Sequence, residues 1–130
     1  QKIYNHSGLS SDSKVSGYAF SKFLSRETSK NNLIPILKKY KKIEKVTKKI
    51  KDKKIKIVAK TGTMFFIRGL AGYIIIDEEP YASFTILFAN NYLREKIKNK
   101  SSGRPKGSKT WLSRNKILEK KIIEYWVKSI

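Results

Sequence analysis

Three consecutive runs of strand-forming residues in the middle of the sequence constrain the fold most strongly. Residues 55–59 alternate apolar and basic side chains and then become apolar on both sides, which is typical of a strand half-buried in a sheet. Residues 68–76 and 81–88 have the composition of two further strands, and the acidic segment 77–80 has that of a turn. The sequence therefore predicts a three-strand antiparallel meander over residues 55–90.

The first predicted strand ends in residues that are chemically suited to bind an anion. Lys60 and Thr61 are consecutive, so their side chains point to opposite faces and can reach one ligand only at a cleft that wraps the strand edge. Gly62 has no Cβ and lets a substrate approach the backbone, which leaves the amide of Thr63 free to donate outward. An ammonium, a hydroxyl and a backbone N–H at this spacing suit a carboxylate or a developing oxyanion.

Helical patterns precede the predicted meander. Residues 15–25 carry a wide apolar face at helical spacing, and residues 33–37 fit a short helix with Pro35 in its first turn. The lysine-dense segment 38–54 has a narrow apolar stripe, which predicts a one-sided helix on the domain surface near the cleft. The stripe consists of Ile43, Val46 and Ile50.

The sequence after the meander is first polar and then amphipathic. Residues 98–109 are basic with Gly and Pro breakers, so we expect a surface loop there. The helix predicted after that loop has a broad apolar face that would cover a sheet, which places Trp111 and Trp126 in the core. We therefore expect one partial α+β domain over residues 1–130, an antiparallel sheet flanked by helices. Its predicted parts are a helical and loop segment beside the cleft (1–54), the meander (55–90), a basic loop (91–110) and the C-terminal helix (111–130).

Three sequence blocks occur in a set order along the chain. The first is His-Ser-Gly-Leu-Ser at residues 6–10, and the second is Ala-Lys-Thr-Gly-Thr at 59–63 with Leu-Ala-Gly-Tyr-Ile at 70–74. The third is the apolar strand that ends at Asn90. In this order they resemble the C-terminal part of the class C low-molecular-mass penicillin-binding proteins, the serine D-alanyl-D-alanine carboxypeptidases and endopeptidases of bacterial walls.

The resemblance extends over roughly residues 3–95. Asn5 and His6 depart from the Asp-Gly that precedes Ser-Gly-Leu-Ser in the family. For the fold, the resemblance implies the C-terminal portion of a β-lactamase/transpeptidase-like domain, the domain that recognises penicillin. It also implies a cell-envelope or periplasmic location, peptidoglycan stem peptides as substrate, β-lactams as inhibitors, and no cofactor or metal.

For the chemistry, the resemblance implies acyl transfer. A serine in Ser-x-x-Lys attacks the peptide carbonyl of a D-Ala-D-Ala stem, water hydrolyses the acyl-enzyme, and a Ser-x-Asn motif completes the proton relay. On this pattern Lys60 supplies positive potential, Thr61 holds the substrate carboxylate, and the Thr63 amide is one oxyanion donor. The implied substrate-binding residues are Lys60, Thr61, Gly62 and Thr63, and the implied cleft-lining residues are Ser7, Gly8, Leu9 and Ser10.

The nucleophile motif of this family is not recognisable in the chain. Ser-x-x-Lys occurs at residues 11–14 and 113–116, and Ser-x-Asn at 29–31 and 113–115, but accidental matches are expected in so lysine-rich a sequence. The family places a helical subdomain between its first two motifs, whereas Ser11 and Ser29 are separated by one short amphipathic segment. We therefore expect a C-terminal fragment that is catalytically silent alone and has an exposed sheet edge, and whose partner is the missing N-terminal part of the same enzyme.

The net charge of +20 supports a second hypothesis, a basic DNA-binding or polyanion-binding protein. Gly-Arg-Pro at residues 103–105 resembles the core of an AT-hook, which reads the minor groove of A·T-rich DNA. Two observations oppose specific DNA binding. The motif occurs once and lacks a second arginine on its N-terminal side, and most of the charge comes from lysines that are spread along the chain. Such lysines are typical of a solvated surface.

Other function classes have less support in the sequence. His6 is the only histidine, which excludes a multi-histidine metal site within the chain, and there is no cysteine nucleophile. The glycines at 62, 69 and 72 lie along predicted strands rather than ahead of a helix, so no phosphate-binding loop is predicted. No run of apolar residues is long enough to span a membrane, and the first residues do not resemble a signal peptide.

Overall fold

The computed structural model describes residues 14–28, 33–50, 52–97 and 103–130. They form an α+β fold with a four-strand antiparallel sheet in the order β1-β2-β3-β4. The strands are β1 (Lys38–Lys39), β2 (Ile55–Met64), β3 (Ile67–Ile76) and β4 (Glu79–Ala89). The α-helices are α1 (Gly17–Thr28), α2 (Glu44–Thr47), α3 (Asn91–Ile97) and α4 (Ser108–Lys128), and Ile34–Ile36 and Lys41–Ile43 form 3-10 turns.

The predicted meander is confirmed, and its hairpins are tighter than the sequence indicated. Each consists of two long strands joined by two residues, Phe65 and Phe66 in the first and Asp77 and Glu78 in the second. Both residues of the second turn have positive φ, of 51° and 70°, as a type I′ hairpin turn requires. The Asp77 carboxylate accepts a hydrogen bond from the Lys54 amide at 2.9 Å. Because β4 begins at Glu79, the turn is shorter than the predicted segment 77–80.

The two faces of the sheet are covered by different helices. On the α4 face, Ile123 and Val127 of α4 pack with inward residues of the strands and with Ile43. On the α1 face, Leu24 of α1 packs against the strand side chains that point away from α4. The Tyr73 hydroxyl donates to the Leu24 carbonyl at 2.8 Å. The strand residues of the α4 face are Ile55, Ile57, Ala59, Leu70, Ile74, Phe84 and Ile86, and those of the α1 face are Val58, Tyr73 and Ile75.

Strand β4 ends the sheet order and differs from the rest of the chain in charge. It contains no lysine or arginine in 11 residues, although the chain has 30 such residues in 130. The strand pairs with β3 along its length, with a bulge between Ile74 and Ile75 of β3. Exposed hydrophobic side chains on this strand include Tyr81 and Leu87.

Two predicted segments differ from the structure. The segment 38–54 is not one helix: Lys38 and Lys39 pair with Ala59 and Val58 of β2, and the helical part is limited to Lys41–Ile43 and α2. Lysines at i,i+4 positions repel along a helix, which opposes its extension in this segment. The apolar stripe itself reaches the core, because Ile43 is buried and Val46 and Ile50 pack against the α4-face cluster.

The segment 91–110, predicted as a basic loop, includes two helical parts. Its first residues form α3, and α4 begins at Ser108, before the predicted start at residue 111. Asn90 explains the start of α3, since its side-chain oxygen accepts a hydrogen bond from the Leu93 amide at 3.0 Å in the manner of a helix N-cap.

The predicted core position of Trp126 agrees with its edge-to-face contact with Phe84, whose ring centroid is 5.9 Å away.

Gly72 allows β2 and β3 to approach closely at the start of the Lys-Thr-Gly segment. It pairs with Ala59, and a Cβ on Gly72 would lie 2.0 Å from the Val58 carbonyl oxygen and 2.7 Å from the Ala59 Cα. These are backbone atoms and cannot move aside without displacing β2. Gly62, on the same strand pair, has nothing within 4 Å of the corresponding Cβ position.

We expect Gly72→Ala to lower the free energy of unfolding by about 3 kcal/mol or more, because the added methyl overlaps the backbone of β2. Gly62→Ala is the matched control and should stay within about 1 kcal/mol of the parent chain. Urea unfolding followed by tryptophan fluorescence measures both. Equal stability of the two variants would contradict the close approach at Gly72.

Candidate substrate-binding strand

The end of β2 that carries the Lys-Thr-Gly sequence lies at a free edge of the described sheet. Strand β1 pairs with Val58 and Ala59 only, and no strand of the described sheet pairs with the outer edge of β2 beyond them. All four predicted substrate-binding residues are exposed: Lys60, Thr61, Gly62 and Thr63. The segment is therefore accessible to a ligand along its backbone.

The backbone N–H of Thr63 points out of the sheet at this edge. The Tyr40 amide donates to the Ile57 carbonyl at 2.8 Å, which fixes the outer edge as the side to which the backbone groups of Ile57 point. Backbone groups along a strand alternate between its two edges. Those of Ala59, Thr61 and Thr63 consequently point to the same outer edge. A donor is thus available where the sequence predicted one.

The side chains of this segment alternate between the two faces. Thr61 and Thr63 are in phase with the buried Ile57 and lie on the α4 face, whereas Lys60 lies on the α1 face. The Lys60 ammonium nevertheless turns to the outer edge, because its Nζ donates to the Thr61 carbonyl at 2.9 Å. One edge of β2 therefore brings together a cation and a backbone donor, an arrangement suited to an anionic group.

A buried ion-pair network supports the end of this segment from the α4 face. Arg68, opposite Thr63 in the strand pair, donates from Nη1 to the Thr63 hydroxyl at 3.0 Å. Its Nε and Nη2 donate to the two carboxylate oxygens of Glu119 at 2.7 and 2.9 Å. The Tyr40 hydroxyl donates to the same carboxylate at 3.0 Å. We call Thr63, Arg68, Glu119 and Tyr40 the Arg68–Glu119 network.

Arg68 and Glu119 at the centre of the network are shielded from solvent, and their charges perturb the neighbouring side chains. Arg68 is 4% exposed and Glu119 is fully buried. Burial, followed by the charge of Glu119 and the hydrogen bond to it, raises the pKa of Tyr40 well above its ordinary value, so the phenol remains a donor. Burial lowers the pKa of Lys42, against the attraction of Glu119, whose carboxylate lies 3.9 Å from the lysine Nζ.

Sequence reasoning did not identify Arg68 or Glu119 as members of the site. From the sequence, Arg68 is only the first residue of a predicted strand, and Glu119 is only part of the predicted C-terminal helix. A signal was available, because Glu119 is four and eight residues before the buried Ile123 and Val127 and so lies on their face of α4. A carboxylate on an apolar face needs a cationic partner, and the strands offered few arginines.

Several predicted positions cannot be related to this site. Ser7, Gly8, Leu9 and Ser10, and also Ser11 and Ser29, lie outside the described residues. Ser113, the start of the other motif matches, is exposed on α4. In the described ranges, no group of histidine and acidic side chains is arranged to hold a metal ion. Nor does any helix in these ranges have the length and apolar character needed to cross a membrane.

Comparison with known proteins found no match: no family model, no curated protein and no solved structure is significantly similar to this chain.

We expect Glu119→Gln to lower the free energy of unfolding by about 3–5 kcal/mol, because the buried Arg68 would lose its counter-charge. Glu124→Gln, on the same helix, removes a partly exposed pair with Lys120 and should cost less than about 1 kcal/mol. Chemical denaturation followed by circular dichroism gives both values. A cost for Glu119→Gln as small as that of the control would contradict the network.

Proposed function

We propose that the chain is the substrate-binding C-terminal part of a serine-type D-Ala-D-Ala carboxypeptidase that acts on peptidoglycan stem peptides. The observation that carries this proposal is the free edge of β2, where the Lys60 ammonium and the Thr63 amide point the same way. The order of the three sequence blocks adds independent support. The proposed setting is the cell envelope, where this substrate is found.

The proposed mechanism divides the work between this chain and the nucleophile. The serine of a Ser-x-x-Lys motif, which is not recognisable in this chain, attacks the carbonyl carbon between the two D-alanines. The serine proton passes to the leaving amine, and free D-alanine departs. Water then hydrolyses the ester and restores the serine. Thr61 and Lys60 hold the terminal carboxylate of the substrate. The Thr63 amide donates to the oxyanion that forms at each attack.

The Arg68–Glu119 network supports an oxyanion role for Thr63. Preorganised donors stabilise a transition state because they need no reorganisation when charge develops. Thr63 lies one residue before the end of β2, next to the hairpin turn, and pairs with Arg68 of β3. The hydrogen bond from the buried Arg68 to its hydroxyl holds the residue against the sheet, and so restricts the amide.

The α1 face beside Lys60 is open in the part of the chain that the structure describes. A Cβ on Gly62 would meet nothing within 4 Å, and Leu87 on the same face is 46% exposed. Apolar sheet surface of this kind is normally covered in a complete domain. We infer that the part of the enzyme that carries Ser-x-x-Lys covers this face and brings the serine to the edge of β2.

We expect no covalent labelling of the chain alone by a fluorescent penicillin, since it lacks the nucleophile. Labelling that Ser11→Ala abolishes would overturn the fragment interpretation. In a protein that joins this chain to its Ser-x-x-Lys segment, Lys60→Ala should slow acylation roughly a hundredfold. Lys56→Ala is the matched control, because Lys56 is exposed on the same face of β2. Equal acylation rates in the two variants would contradict the role of Lys60.

The second candidate function, binding of DNA or another polyanion by a basic chain with a single AT-hook-like segment, has the net charge of +20 as its main support. The Gly-Arg-Pro segment 103–105 leads directly into α4, through a turn in which the Ser108 amide donates to the Pro105 carbonyl. We expect duplex binding to weaken steeply with salt and to show no A·T preference, as counterion release requires. Fluorescence anisotropy with A·T-rich and G·C-rich duplexes measures this. An A·T preference that Arg104→Ala abolishes would favour the DNA-binding function.

A further inference from the structure

A cavity of about 510 Å³ lies between the β2–β3 turn, α3 and the start of α4. Its volume is in the range of small-molecule binding sites. We propose that it binds an amphiphilic anion, a molecule with one oxyanion head group and a short apolar chain. The cavity is lined by Thr63, Met64, Phe65, Arg94, Ile97, Arg104, Ser108, Lys109 and Leu112.

The charge of the cavity selects for an anion. Arg94, Arg104 and Lys109 line it, and none of its described lining residues is acidic. Arg104 and Lys109 are exposed at the rim and Arg94 is half-buried, so their combined positive potential favours an anion in the cavity. Two arginines present planar donor groups that fit a carboxylate or a phosphate. The cations thus provide a head-group site.

Arg94 is held in position at the rim before any ligand binds. Its Nη1 donates to the Phe65 carbonyl at 3.2 Å, which uses one of its five N–H donors. The residue is also half-buried, so less water must be removed from it on binding. A preorganised arginine loses less conformational entropy when it binds an anion.

The remaining lining selects for an apolar group. Met64, Phe65, Ile97 and Leu112 contribute hydrophobic surface, and Phe65 is 44% exposed although it is a large aromatic residue. An inorganic ion would leave this surface in contact with water, and an uncharged hydrocarbon would leave the three cations without a counter-charge. A short hydrocarbon chain with one anionic end satisfies both parts of the cavity.

This proposal does not rest on the proposed peptidase function. The cavity touches the substrate-binding strand at Thr63 and continues from there towards α3 and α4, away from Lys60. Thr63 has its hydroxyl on the α4 face, while its amide points to the outer edge of β2. A ligand in the cavity and a peptide along the strand edge would therefore meet different atoms of one residue.

The test is calorimetric titration of the chain with octanoate and octyl phosphate, which carry the two forms of oxyanion head group, and with octanol and inorganic phosphate as partial ligands. We expect one-to-one binding of at least one amphiphile, and binding of both partial ligands at least about tenfold weaker. Arg104→Gln and Arg94→Gln should each weaken the amphiphile about tenfold or more.

Matched controls separate the cavity from the general charge of the chain. Lys106 is exposed, lies two residues from Arg104 and does not line the cavity. Lys106→Gln removes the same charge as Arg104→Gln and should leave the affinity for the amphiphile within about twofold of that of the parent chain. Leu112→Ala should weaken binding, whereas Leu118→Ala, exposed on the same helix, should not. Equal losses in Arg104→Gln and Lys106→Gln, several amphiphiles per chain, or octanol binding as tightly as octanoate would overturn the proposal.

Discussion

The buried pair of Arg68 and Glu119 is the interaction on which both the sheet packing and the candidate site depend. Removing these two charges from water is costly, and the attraction between them compensates only when the geometry is nearly complete. Here the carboxylate receives two donors from Arg68 and one from Tyr40, and a third guanidinium N–H of Arg68 goes to Thr63. These hydrogen bonds join four parts of the fold at one point: α4, β3, the segment at Tyr40 and the end of β2. The packing of α4 on the sheet therefore also anchors the Thr63 side chain near the end of β2.

The central strands could be predicted because their signals are local. A strand with one or two buried faces has a period of two or a continuous apolar run, and both patterns are present between residues 55 and 88. Asp77 and Glu78 mark a turn by their type alone. The opposite orientations of Lys60 and Thr61 followed from strand geometry, and the structure shows them on opposite faces. The apolar pattern of the last helix predicted its packing on the sheet only in part, because Ile117, Leu118 and Tyr125 are exposed.

The rest could not be predicted because it depends on contacts distant in sequence. Arg68 and Glu119 are 51 residues apart, and no local pattern shows that one will compensate the other. Segment 38–54 has helical spacing, but Lys38 and Lys39 pair with β2, and this tertiary pairing overrides the periodicity. The cavity beside Thr63 is formed by three separate elements, so its cations are scattered in the sequence and come together only in the fold.

The absence of lysine and arginine from β4 makes ionic strength a determinant of how copies of this chain interact. Terminal strands of sheets are usually protected from edge-to-edge association by charged residues on the strand itself. Here Pro80 and the bulge interrupt the edge of β4, and a net charge of +20 adds a repulsion between copies that acts at a distance. Such long-range repulsion is screened beyond about 8 Å at physiological salt. The lysines that dominate this sequence therefore oppose the association of copies through β4, and added salt weakens that repulsion.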